Sequence, residues 1–340
     1  MRAIRKISAV LMLAMGVAVC PVHADAAPKV IKVDASVNTT NCPQYLAFIE
    51  MKKYIEERSN GRYRVDVYDS GKLGSPATVL QSMKMGTVHI AMESAANVSS
   101  FLPVLGVLDC PFLFMNSDEA NRVLVNNPFG LKMLDPLNKV GIKPIGFAPS
   151  TFRWMLMKEP IYTVNDIKGQ KVRATASRID RENLKAMGFS PAAVTGPEML
   201  SALQQGTIDG VALPADSVPS EKSVAEIARY AMGFEHCYMA SVLSCSARWF
   251  KNLPAEDQKL MMDAMHFMIQ THGRIVAEIS SASAIKDSGL YKEVIVTSPE
   301  LKAELVARTA GVYDTLPDDW KPVVAEIRTL IKETANNGAK

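Results

Sequence analysis

Apolar and polar side chains alternate from Val30 to Val37, the period of a strand with one buried face. From Gln44 to Arg58 the spacing changes. Leu46, Phe48, Ile49 and Ile55 fall on one side of a helix. Asn60-Gly61 stops that helix, and Tyr63, Val65 and Val67 then alternate with Arg64 and Asp66 as a second strand, so the chain opens β-α-β. Ser70 to Gly74 reads as a turn. It precedes a helix that Pro76 can start and Gly86 can end, and then a short buried strand from Thr87 to Met92. Phe101 to Phe114 is apolar but broken by Pro103, Gly106 and Pro111, which predicts an irregular core-lining loop rather than a helix. Helices over about Asp118 to Val125 and Leu131 to Leu137 lead into a strand at Pro144 to Ala148.

The second half repeats part of this grammar. Leu80-Gln81-Ser82-Met83-Lys84-Met85-Gly86-Thr87-Val88 recurs in type as Leu200-Ser201-Ala202-Leu203-Gln204-Gln205-Gly206-Thr207-Ile208. Each copy is an amphipathic helix, a glycine suited to positive φ, then Thr and a β-branched residue that open a strand. The offset is 120 residues (200 − 80), too long for a solenoid, and predicts two lobes on one α/β plan. Glu93 and Leu213 then occupy equivalent positions just past the two strands, where open α/β sheets line a ligand crevice. Further on, Val218 to Tyr230 reads as one helix and His236 to Ser246 as a strand. A long helix runs from Pro254 to about Ile285, a strand from Lys292 to Thr297, and two helices, Pro299 to Tyr313 and Asp319 to Thr334, finish the chain.

Composition matters mainly through the N-terminus. Arg2, Arg5 and Lys6 precede an apolar run from Ile7 to Val19, and Val22-His23-Ala24 fits the small-x-small pattern of a secretory signal peptide over 1–24. An acylated Cys20 is the rival reading, and Val19 is bulky where that modification expects a small residue. Without residues 1–24, which hold three basic and no acidic side chains, the formal charge falls from +3 to 0 (3 − 3), so nothing in composition favours a nucleic-acid partner. The remaining 316 residues (340 − 24) suit two lobes. Cys42, Cys110, Cys237 and Cys245 are even in number but not spaced as a disulfide framework or a metal site, and read as buried structural thiols.

Catalytic signatures are missing. No nucleophile elbow, zinc-protease helix, dinucleotide fingerprint or phosphate loop occurs, and His89, His266 and His272 fall inside predicted elements, so the chain reads as a non-enzyme without metal or cofactor. Two arginines stand out instead. Arg153 follows the strand ending at Ala148 with aromatic neighbours, and Arg173 ends the strand-like Gly169-Gln170-Lys171-Val172-Arg173. A guanidinium offers two parallel N–H donors to an oxyanion, the chemistry a small-acid receptor needs. Arg178, Asp180 and Arg181 begin the next helix, where Asp180 complements the dipole and a solvated face is the default for the arginines.

Asn60-Gly61-Arg62, Gly71-Lys72-Leu73-Gly74, Leu108-Asp109-Cys110-Pro111-Phe112-Leu113-Phe114, Asp166 to Arg173 and Ala202 to Gly210 occur in one order over most of the chain. From about Val30 to Leu316 the sequence resembles the periplasmic solute-binding proteins of tripartite ATP-independent periplasmic (TRAP) transporters, typified by dicarboxylate and sialic-acid receptors. The resemblance implies a two-lobe α/β binding protein with hinge strands and a long bracing helix. Lobe I would be 25–150 plus 237–278, and lobe II 151–236 plus 279–340. It implies a periplasmic monomer that captures a small organic anion and delivers it to membrane permease subunits driven by an ion gradient. Arg173 would pair with the acidic group and Arg153 would assist. One position departs from the family: Val211-Ala212-Leu213-Pro214 stands where an Asn commonly helps hold the carboxylate, so Leu213 leaves a sulfonate such as isethionate open beside hydroxy- and keto-acids. Glu93, Asn38 and Asn97 are candidates for a hydroxyl or amine at the ligand's other end. A sensory binding module and a periplasmic hydrolase or lyase are the alternatives.

Overall fold

The computed structural model describes residues 27–35, 40–175 and 177–337. The expected signal segment and Asn38 lie outside them. Eleven strands are described: β1 Lys29–Asp34, β2 Tyr63–Tyr68, β3 Ile90–Ser94, β4 Ile142–Ala148, β5 Arg153–Met157, β6 Lys171–Ala174, β7 Ser190–Ala193, β8 Gly210–Pro214, β9 Tyr230–Gly233, β10 Ser241–Ser246 and β11 Glu293–Val296. They form two sheets, β2-β1-β3-β10-β4 and β11-β9-β5-β8-β6-β7.

Read from the β7 edge, the second sheet repeats the first: β7-β6-β8-β5-β9 stands against β2-β1-β3-β10-β4. The duplication expected from the helix-Gly-Thr pattern is therefore a duplication of sheet plan. Each sheet has in its interior an antiparallel strand contributed from across the hinge. β5, which follows the first-lobe strand β4, enters the second sheet between β8 and β9, and β10, which follows β9, enters the first between β3 and β4. The two crossings touch each other, since Arg153 N–H donates to the Cys237 carbonyl at 2.9 Å and Met239 N–H to the Thr151 carbonyl at 2.9 Å.

The third crossing is helical. The helix Ala255–Ile279 buries Met261, Ala264, Met265 and Met268 against the first sheet and the helix Pro43–Arg58. The expected helix to Ile285 breaks at Ser280 because the Ser281 hydroxyl accepts from Ala284 N–H and caps a new helix, Ala282–Asp287. Ile285 of that short helix belongs to a second-lobe core with Trp154, Leu156 and Val211.

Local expectations fail where tertiary pairing or proline intervenes. Phe101 to Phe114 contains a 3-10 helix at Pro103–Asp109. Val218 to Tyr230 is not one helix, because Pro219 permits only a 3-10 turn at Val218–Ser220 before the short helix Lys222–Ala225, and Tyr230 is drawn into β9 between β5 and β11. β5 was hidden because all five of its residues are buried, which leaves no alternation to read. The expected assignment of 279–340 to lobe II also needs correction. Val324 and Ile327, in the last helix Lys321–Asn337, pack with Leu124, Phe129 and Leu134 of the first lobe. All four cysteines at 42, 110, 237 and 245 are free and buried. No helix among the described residues is long and apolar enough to cross a membrane.

The Asp209-Gly210 signature has a packing cause. A Cβ at Gly210 would meet Met157 Sδ at 2.1 Å and the Leu156 carbonyl at 2.8 Å, so β8 can start against β5 only with glycine there. Gly210→Val should lower stability by about 1–3 kcal/mol or more, the usual range for overpacking, measured by urea unfolding. An unchanged midpoint would mean the strands can separate without loss.

Candidate functional site

The C-terminal ends of the parallel strands in each sheet face each other across a cavity of about 140 Å³. From the first lobe come Glu93 and Ser94 at the end of β3, Asn97 just beyond, and Ser241 opening β10. Opposite them are Arg173 in β6, Thr175, Leu213 and Pro214 ending β8, and Asp216 and Glu221 from the segment that follows. The Gln44 side chain shapes one wall, donating to the carbonyls of Ala35 and Met92 and so fixing a helix N-terminus to two strand ends. The lobes touch at the rim, where Gly71 at φ +68° lies so near Pro197 that a Cβ would come within 2.7 Å of its ring.

Arg173 is half-buried, and its Nε donates to the Val194 carbonyl at 2.9 Å. That bond holds one edge of the guanidinium. No carboxylate among the described residues is within ion-pair distance of it. Burial lowers its pKa to about 10, with Asp180 acting to raise it and Arg153 to lower it, so it remains a cation at neutral pH.

Arg153 is placed differently from the expectation. It is 2% exposed, does not line the cavity, and is already engaged on both sides: Nη2 donates to Asp109 Oδ1 at 2.9 Å and Nη1 to Asp180 Oδ1. A guanidinium spent on two buried carboxylates has no free fork for a ligand, so the geometry does not support it as a second clamp. Asp180 was read as a helix-dipole residue. Its Oδ2 also accepts from Thr175 N–H and Oγ1, both at 2.8 Å, which ties the buried ion cluster to the strand end that carries Arg173. Burial works against the Asp180 anion, but Arg153 and Thr175 hold its pKa low. Asp109 has only weaker help beyond Arg153, the Cys237 thiol at 3.9 Å from the same Oδ1, and leaves Oδ2 without a partner, so burial, with Asp180 adding to it, outweighs Arg153 and pushes it up to about 6. His236 beside them is held neutral, its pKa driven to about 3 by burial and by Arg153.

Glu93, Asn97 and Leu213 all line the cavity with Arg173. Asn97 Nδ2 donates to Glu93 Oε2 at 2.9 Å. Glu93 and Leu213 are each the fourth residue of a five-residue strand, inside β3 and β8 rather than past them. Asn38 falls outside the described residues. Sequence reasoning missed Asp216 and Glu221, which are 6% and 8% exposed. A signal was present for their segment, since the 120-residue offset that pairs Glu93 with Leu213 also pairs Asn97 with Ser217 (97 + 120), and Ser217 lines the cavity too. Asp216 Oδ1 accepts from Thr151 Oγ1 at 2.6 Å. The Glu221 carboxyl makes no hydrogen bond or ion pair among the described residues, and burial alone pushes it up to about 7. No group of His, Cys, Asp and Glu among the described residues is arranged to hold a metal ion.

Residues 35–327 match the family described as bacterial extracellular solute-binding protein, family 7. A solute-binding protein of Verminephrobacter eiseniae is 29% identical over 66% of this chain and 67% of its own length. Among solved structures, a TRAP periplasmic solute-binding protein of Haemophilus influenzae with bound L-gulonate superposes with a TM-score of 0.81 at 25% identity, covering 89% of this chain and 99% of that one. One from Sulfurospirillum deleyianum with bound succinate gives 0.80 at 25% identity, covering 89% and 100%.

Two outcomes separate structural from site charges. Removing one partner of a buried pair typically costs about 3–5 kcal/mol, so Arg153→Ala should lower unfolding free energy by that much, and Asp180→Asn added to it should cost far less than its single effect. Additive losses in the urea double-mutant cycle would show that the two residues are not coupled. For Glu221, the folded pKa of about 7 lies above the ordinary 4.5, so its buried carboxylate weakens the fold as pH rises from 4.5 and does so fully above about 7. Glu221→Gln should therefore stabilise the unliganded protein at pH 8, by up to about 3 kcal/mol at 1.36 kcal/mol per unit, and give no gain below pH 4.5. Equal effects at both ends of that range would mean the carboxyl is solvated.

Proposed function

Since the chain belongs to the bacterial extracellular solute-binding proteins of family 7, we propose that it is the periplasmic receptor of a TRAP transporter, closing on a small organic acid and passing it to an ion-gradient-driven membrane permease. Arg173 carries the choice of ligand class. Among the described residues lining the cleft it is the one arginine or lysine, it has lost water to burial, and only its Nε edge is occupied. An oxyanion that accepts from the two terminal nitrogens restores what burial removed. The neighbours bound to L-gulonate and succinate support an acid of that size.

We extend the proposal to the headgroup. Leu213 puts an apolar side chain where a carboxylate would gain from an amide, so the site suits a hydroxy- or keto-acid held chiefly by Arg173, or a small sulfonate such as isethionate, whose three oxygens make the missing amide matter less. Ser150, Thr175 and Ser241 supply hydroxyls around the same cavity for the rest of the molecule.

A thermal-shift screen over small carboxylates and sulfonates should give a clear rise in melting temperature for one headgroup class, because a ligand that binds only the folded state stabilises it. With that ligand, Arg173→Ala should weaken calorimetric affinity by about 2–5 kcal/mol, the range for truncating one member of a buried charge pair. Arg173→Lys should recover only part, since an ammonium lacks the fork. Unchanged affinity in Arg173→Ala would remove Arg173 from the site.

A further inference from the structure

Arg173 shares the cavity lining with the carboxylates of Glu93, Asp216 and Glu221. Charges close enough to bias Arg173 are Asp180 and Arg153, whereas those that act on Cys42, across the cavity in the first lobe, are Asp216 and Glu221. Asp216 and Glu221 come from one short segment after β8, both are more than nine-tenths buried, and both line the cavity. Two buried carboxylates so close to one thiol require a compensating positive charge or the loss of an ionisation. The protein supplies little compensation. His272, also in the cavity wall, has its pKa lowered by burial although Asp216 acts to raise it, and Lys222, next in sequence to Glu221, is exposed and makes no ion pair with it. Asp216 has the Thr151 hydroxyl, but Glu221 presents a carboxyl to the cavity with no partner among the described residues.

We infer that the end of the cleft formed by Glu221 and Asp216 takes a protonated amine, so that the preferred ligand is a small zwitterion with its acidic group on Arg173 and its ammonium between these two carboxylates. The inference rests on the organic-acid reading and narrows it. An ammonium brings three donors and the missing charge, and replaces a buried unpaired carboxyl with a charge-assisted hydrogen bond. A second acidic group at the same end would meet like charge, which disfavours dianions.

Matched series make the test. Taurine, isethionate and ethanesulfonate share a sulfonate and differ at the other end; ω-amino, ω-hydroxy and unsubstituted carboxylates of two to five carbons do the same for carboxylates. By calorimetry on the full chain at pH 7.5, the amino member of the best-fitting length should bind at least tenfold more tightly than its hydroxy counterpart. Glu221→Gln should erase that preference, and Asp216→Asn should reduce it. If hydroxy or unsubstituted members bind wild type as well as the amino member does, the amine site is wrong and the acid receptor stands. A preference that survives in Glu221→Gln also overturns the assignment. If no acid of either series binds, the organic-acid reading falls and takes the inference with it.

Discussion

Arg153 is the constraint on which the rest of the site depends. Its guanidinium is held by Asp109, the last residue of the 3-10 helix Pro103–Asp109 in the first lobe, and by Asp180, from the first turn of a second-lobe helix, while its backbone N–H donates to the Cys237 carbonyl in the segment between β9 and β10. A charge this deep is tolerable only with both carboxylates in place. The pivot is therefore fixed electrostatically as well as by strand pairing. Asp180 carries the constraint to the cleft, because the same carboxylate that holds Arg153 also holds Thr175, two residues beyond Arg173.

The exchange of interior strands explains how two lobes can close yet keep their relation. β5 and β10 are each buried throughout and lie between strands of the lobe opposite the one just left, so the crossings are anchored in two cores at once. The two strand crossings are short, from Ala148 to Arg153 and from Gly233 to Ser241. The sheet registers carry the correspondence into the site. Val33 pairs with Ile90, the first residue of β3, and Val172 with Gly210, the first of β8, which makes Asp34 the first-lobe counterpart of Arg173. One plan thus places an acid in one lobe and a base in the other.

Much of this was legible in the sequence, and for identifiable reasons. Pro76 and Gly86 bound a helix, Gly86 at φ +82°, because helix ends depend on local backbone chemistry. The helix-Gly-Thr repeat led to the matched strands β3 and β8, and through them to Glu93 and Leu213. Arg173 was found because a strand end followed a turn-forming glycine. What failed was non-local. Arg153 carries the same local signals as Arg173, and only the arrival of Asp109 and Asp180 from 44 and 27 residues away turns it from a clamp into a buried tie. Glu221 falls in the first turn of an expected helix, and nothing in its sequence neighbours reveals that it is buried in the cavity wall.

The buried charges also bear on when the lobes close. With Gly71 and Pro197 in contact at the rim, Arg173 has lost water without gaining a carboxylate, and Glu221 has lost water without gaining a donor. Each raises the free energy of the closed, empty protein, and both penalties shrink when the lobes part and water returns. A ligand with only one complementary group relieves one of them. A ligand that answers both ends removes both, so its effect on the open–closed balance exceeds what its contact area alone would give. On the proposed reading Leu213 would add to the discrimination, because an apolar wall in place of an amide leaves an oxyanion to Arg173. In the receptor proposed above, this arrangement resists closing on water and favours closing on a ligand that fills both ends.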